Sequence, residues 1–173
     1  MNLQFSIDEP PALVIDGEFV PLTTPVHELR RAARPTRVAQ RPTMGVKTIF
    51  DGMDEWRFGS DGLFFIVGTR LEVVTVTWRD FGIGRSAEDG QIVGDTSAIT
   101  TSAGFSLEDT YEDLLRIHGA PTQTRLDIFH ALDRQHLEVE YELFDGSEDF
   151  VYFRASFENM LARGIQFARA SAF

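Results

Sequence analysis

Glu138, Glu140 and Glu142 stand at alternate positions, interleaved with Leu137, Val139, Tyr141 and Leu143. Side chains of a strand point to opposite faces in turn, so this spacing puts the carboxylates on one side and the apolar groups on the other. Asp145, Glu148 and Asp149 continue the acidic run into a turn signalled by Asp145-Gly146. Like charges in a row repel and cost stability. The row therefore reads either as a field that favours an arginine- or lysine-rich protein surface or as a solvated face whose charges guard the sheet edge. These six acids are the candidate partner-binding set.

Other reactive constellations are weaker. His27, His118, His130 and His136 show no spacing that sets two of them on one helical face, so no metal site is expected. His130 and His136 fall on neighbouring strand candidates near Asp127 and Asp133, which reads more simply as polar residues beside a turn. His118 lies on the apolar side of a helix and is expected to be hydrogen-bonded at the core edge. The chain has no cysteine, which removes disulfides, thiolate metal sites and a cysteine nucleophile. No Gly-x-Ser-x-Gly elbow is present, and the glycines of Phe81-Gly82-Ile83-Gly84-Arg85 are too few for a phosphate cradle. Asp80-Phe81-Gly82 matches a kinase tripeptide without any other kinase element. Nothing selects a pair of carboxylates for glycoside hydrolysis among the 27 acids. The expectation is a protein without catalytic residues and without a cofactor.

The 173 residues carry a net charge of −11, unevenly spread. Residues 1–86 hold 10 basic and 11 acidic side chains, whereas residues 87–173 hold 6 and 16. An acidic balance repels nucleic acid and anionic membrane and steers basic partners inward, although it also serves plain solubility. Arg30, Arg31, Arg34, Arg37 and Arg41 form the single basic concentration, at the end of a helix where cations are favoured. They read as partners for the acidic half. The first ten residues carry neither a basic leader nor a long apolar run, and no stretch approaches the roughly 18 apolar residues of a membrane span. A cytoplasmic location is expected.

The elements that must position these residues follow from turn and cap signals. Leu3 to Ile7 is a strand candidate, and Asp16-Gly17 joins two more as a tight hairpin. A first helix is predicted from Thr24, with the hydroxyl as N-cap and Pro25 at the first helical position, ending before Pro35. Val26, Leu29 and Ala33 form its apolar stripe. A second is predicted from Thr110, capped reciprocally by Asp113, with Tyr111, Leu114, Leu115 and His118 on one face and a stop at Gly119 and Pro121. Strands are predicted over Val46–Phe50, Glu55–Phe58, Leu63–Val67 and Leu71–Trp78. A second set covers Arg125–Leu132, His136–Leu143, Phe150–Phe157 and Leu161–Ala168. Asp80–Thr96 reads as a linker or long loop. Trp56, Phe58, Phe64, Phe65 and Trp78 are core candidates, although an exposed Trp would make a natural anchor for a partner.

The helix segments also align with each other. Thr24 to Thr36 falls without gaps on Thr110 to Thr122, an offset of 86, with identity at the opening Thr, at Leu29 and Leu115, at Arg30 and Arg116, and at the closing Pro-Thr. Phe19 falls on Phe105. This predicts an α+β fold of two similar units, 1–86 and 87–173, each a short helix on an antiparallel β-meander. The run from Gly104 to Pro121, with its cap, acidic-leucine helix and Gly-x-Pro stop before a meander, resembles the helical signature of BamE/SmpA-like domains. The chain departs from the outer-membrane lipoproteins of that family in having no cysteine to lipidate, so their envelope role is not carried over. Its paired arrangement and acidic balance look more like small bacterial immunity proteins. That resemblance implies a non-catalytic protein that neutralises a cognate toxin. A small-ligand protein or enzyme with a site between the units, and a self-associating scaffold, are the competing expectations.

Overall fold

A computed structural model describes residues 2–8, 10–40, 51–58, 63–68, 71–77, 99–107, 109–129, 134–144, 146 and 150–169. The predicted strand Val46–Phe50, the Asp80–Thr96 segment, Trp78, Arg41, His130 and Asp133 lie outside the described residues, as do the side chains of Phe64 and Asp127.

The fold is α+β and mostly strand. Its order is β1 (Leu3–Ser6), β2 (Ala12–Ile15), β3 (Glu18–Pro21), α1 (Val26–Ala33), β4 (Arg37–Gln40), β5 (Asp54–Arg57), β6 (Leu63–Val67) and β7 (Leu71–Thr77). Then come β8 (Ile99–Thr101), α2 (Tyr111–His118), β9 (Gln123–Phe129), β10 (Arg134–Phe144), β11 (Phe150–Glu158) and β12 (Leu161–Arg169). Eight strands form one sheet in the order β4-β5-β6-β7-β12-β11-β10-β9, and four form a second in the order β3-β2-β1-β8. Every neighbour in the large sheet is antiparallel, including β7 against β12 at its centre. The two meanders are thus halves of one continuous sheet. The second sheet joins both halves, because β1 pairs β8 in parallel. The sequence reading of a helix alone on each meander is met only in part: the small sheet shares the covering layer.

Local signals explain most of the elements. Asp16 and Gly17 both take positive φ, 50° and 89°, as a two-residue hairpin between Ile15 and Glu18 requires. Thr110 accepts from the Asp113 amide at 3.1 Å while Asp113 accepts from the Thr110 amide at 3.1 Å, so both halves of the predicted capping box form. In α1 the prediction needs correction. Pro25, not Thr24, is the N-cap; no side chain caps it, and its carbonyl takes the Glu28 and Leu29 amides at 3.0 and 2.9 Å. The helix does end before Pro35: Arg34 turns left-handed, φ 48° and ψ 64°, because the residue ahead of proline avoids the right-handed helix.

The helices also correct the alignment between the halves. Val26 and Tyr111 open them, Leu29 and Leu114 are their fully buried leucines, and Arg34 and Gly119 are their C-caps, an offset of 85. Val20 and Phe105, both buried, keep that offset, whereas Phe19 is exposed. One residue in a helix is a rotation of about 100°, so the identities at 86 do not occupy equivalent faces.

One apolar core fills the space between the layers. Phe5 of β1 meets Phe167 and Phe153 of the large sheet with ring centroids 5.0 and 6.4 Å apart. Tyr111 of α2 meets Phe157 at 5.7 Å. Arg169, predicted to lie past the strand end, is in β12 on the core side and only 1% exposed; it donates from Nη2 to the Leu22 carbonyl at 2.7 Å.

Candidate protein-binding surface

β10 alternates as its sequence dictates. Leu137, Val139 and Tyr141 are buried and stand opposite Phe157, Ala155 and Phe153 of β11, all in the core. The other face pairs Glu138 with Ser156, Glu140 with Arg154, Glu142 with Tyr152 and Phe144 with Phe150. Every described side chain of that outer face in β9, β10 and β11 is exposed or half-buried. Behind β10 and β11 the core seals one side, while their outer face is half-buried to exposed.

The three glutamates share this face but differ in what surrounds them. Glu140 is clamped across the strands: Arg154 Nε donates to its Oε2 at 3.0 Å, and Nη2 donates to the same oxygen. Both partners are mostly shielded, so the pair is fixed in place. Glu138 faces Arg125 in the register with β9. His136 Nε2 lies 3.7 Å from its Oε1, an ion-pair distance rather than that of a good hydrogen bond. The adjacent His136 ring, aided by Arg154 and Arg125 and opposed by partial burial, holds the Glu138 carboxyl below its ordinary range. Glu142 is exposed, and its backbone amide donates to Thr122 Oγ1 at 3.0 Å. Asp145, Glu148 and Asp149 lie outside the described residues. The row is therefore graded, cross-strand and compensated at Glu138 and Glu140 and open at Glu142.

Beneath the sheet, α2 is tied to the strand that carries the row. Tyr141 donates its hydroxyl to the Gly119 carbonyl at 2.8 Å, and the Thr122 amide donates to the Glu140 carbonyl at 2.8 Å. Burial pushes the Tyr141 phenol up to about 12. His118 packs against Phe105, Tyr141 and Phe153 and contacts Thr101 Oγ1 through Nε2 at 2.9 Å. Burial, partly opposed by Asp8, lowers its pKa, so the ring belongs to the core edge as its helical position predicts. His27 is exposed on α1. Among the described residues no three histidine or carboxylate side chains gather closely enough to hold a metal ion.

The arginines prove to be placed differently from the sequence reading. Arg30, Arg31, Arg34 and Arg37 are exposed, and among the described residues none of them pairs with the acidic half. The sheet order explains this: β4 and β9 are opposite edges. At roughly 4.8 Å per strand, five strands lie between β4, which carries Arg37, and β10, which carries the glutamates.

No protein-family model and no curated protein matches the chain. Among solved structures, it is similar to a putative beta-lactamase inhibitor protein from Streptococcus mutans. The TM-score is 0.32 at 12% identity, over 99% of this chain and 92% of that one. A likeness of that order assigns neither fold nor function.

What the sequence missed on this surface is the aromatic end of the face. Phe150 opens its predicted strand, but Phe144 lies one residue past the predicted strand His136–Leu143; the same alternation carried one step further sets it outward with Glu142. No helix among the described residues is long and apolar enough to cross a membrane.

Proposed function

We propose that this chain is a non-catalytic binding protein that neutralises a cognate bacterial toxin, with the outer face of β9, β10 and β11 as its interface. In this reading it is a cytoplasmic immunity protein built from two BamE/SmpA-like units, 1–86 and 87–173. The support for the paired arrangement is the repeated order of a helix followed by four antiparallel strands, which meet at β7 and β12.

One observation carries the proposal. In β10 and β11 one face belongs to the core, and the other, half-buried to exposed, carries charge in register along two long strands. Preset charge is what an interface needs for fast and selective association, since charges already held in place do not lose side-chain freedom on binding. The acidic candidates Glu138, Glu140, Glu142, Asp145, Glu148 and Asp149 would face a basic cleft on the toxin, with Glu142 and the turn acids supplying the open charge. Glu138 and Glu140, held by His136, Arg125 and Arg154, would set the register of contact.

Affinity purification from the native host at low salt, followed by mass spectrometry, should recover a stable basic protein. With that protein in hand, Glu142→Lys should slow association and flatten its dependence on salt. Glu142 is the residue to reverse, because a lysine at 140 would be set against Arg154. No stable partner, or an unchanged association rate for Glu142→Lys, would count against the proposal.

A further inference from the structure

We infer that Phe144 and Phe150 are the anchor of this interface, and that their occupant is a protein surface with an apolar recess rimmed by lysine or arginine. The inference rests on the binding reading above and names the residues that hold the partner. The two residues are paired in register at the turn end of the β10–β11 hairpin, 50% and 46% exposed. Directly opposed residues on one sheet face have Cβ atoms about 5 Å apart, so the two form one patch. Tyr152 and Glu142 are the next pair on the same face, and Arg154 and Glu140 the one after.

An exposed phenylalanine taken singly needs no explanation, but two in register on a strand face are a sticky end that a soluble protein usually covers. Aromatic side chains bury much area with few rotatable bonds, and interfaces draw most of their affinity from a few such residues ringed by polar ones. Here the charge neighbouring them along the chain is acidic. Glu142 is next along the strand, and the five residues joining the two phenylalanines include Asp145, Glu148 and Asp149. That charge selects the occupant. A second copy would bring two acidic rims together, and an anionic membrane would be repelled; a basic rim is attracted.

The probe is a displayed library of random peptides selected against the full chain. The expected winners combine aliphatic or aromatic residues with lysine or arginine. They should bind Phe144→Ser and Phe150→Ser at least ten-fold more weakly, which corresponds to about 1.4 kcal/mol. Phe19→Ser, which removes an equally exposed ring from β3, should leave them unchanged, and Phe150→Tyr should retain binding. Thermal unfolding of each variant separates lost binding from lost fold. Peptides that lose affinity for Glu142→Lys but not for the phenylalanine variants would overturn the anchor and leave the interface standing. Indifference to all three, or recovery of no specific peptide, would count against both. A wild-type dimer in sedimentation that Phe144→Ser dissolves would show a second copy as the occupant and overturn the inference.

Discussion

The two helices have the same length and the same place ahead of their strands, yet their ends are held by different chemistry. α2 is specified locally. Thr110 and Asp113 cap each other, Arg116 Nη2 donates to Asp113 Oδ1 at 2.6 Å, and Gly119 closes the helix with φ 76°. α1 begins on a proline without a side-chain cap and ends on an arginine in a left-handed conformation. An eight-residue helix is marginal on its own in water, so α1 must owe its existence to what it packs against. Leu29 and Ala33, both buried in the shared core, supply that packing. The locally specified helix lies under the strand that carries the candidate interface.

Removing the packing tests this contrast most severely. Leu29→Ala and Leu114→Ala each delete a side chain with no solvent exposure. Each should cost about 2–5 kcal/mol in denaturant unfolding, as buried leucines do. Because α1 has no cap to fall back on, Leu29→Ala should cost at least as much as Leu114→Ala. A clearly cheaper Leu29→Ala would mean that α1 does not depend on the core.

The caps should separate the helices in the opposite sense. Thr110→Ala should cost about 1 kcal/mol, whereas Thr24→Ala, which removes no cap, should stay within about 0.5 kcal/mol. The pair also has a pH signature. The Arg116 guanidinium, with the Thr110 hydroxyl and amide, lowers the Asp113 carboxyl from 3.8 to about 2. A carboxyl depressed in the folded state contributes stability that is present above its unfolded pKa. That contribution should fade as pH drops from 3.8 toward 2 and be missing in Asp113→Asn. Equal acid profiles for the wild type and Asp113→Asn would show that the box does not hold the helix.

The same contrast explains what could be read in advance. The Asp16-Gly17 hairpin, the α2 box and the alternation of β10 are set by neighbours in sequence, and each was legible. β4 was not: Arg37-Val38-Ala39-Gln40 offers one apolar side chain of any size, and its strand exists because β5 pairs with it. β8 was missed for the same reason, since its three residues join β1 from across most of the chain. Arg169 lies one residue past the predicted strand Leu161–Ala168; its Nη2 reaches the Leu22 carbonyl 147 residues away, a contact that sequence spacing does not carry. On the candidate surface, the face of each glutamate followed from parity. The clamping of Glu140 by Arg154 depends on which strand lies alongside, and sequence spacing does not carry that information.

The finest test lies at the other ends of the helices. A side chain in the left-handed region costs roughly 1 kcal/mol, and glycine relieves that cost. Gly119 already occupies a positive-φ site in α2, but Arg34 does not enjoy that freedom at φ 48°. Arg34→Gly should therefore stabilise the protein. The gain should be small, a few tenths of a kcal/mol, because glycine also widens the unfolded ensemble and the Arg34 Nε contact to the Arg31 carbonyl, at 3.4 Å, is weak. Thermal unfolding at matched buffer would read it as a slight rise in Tm. A loss of about 1 kcal/mol instead would mean that the Arg34 side chain holds α1 against its neighbours, and that the first helix has a local fastening after all.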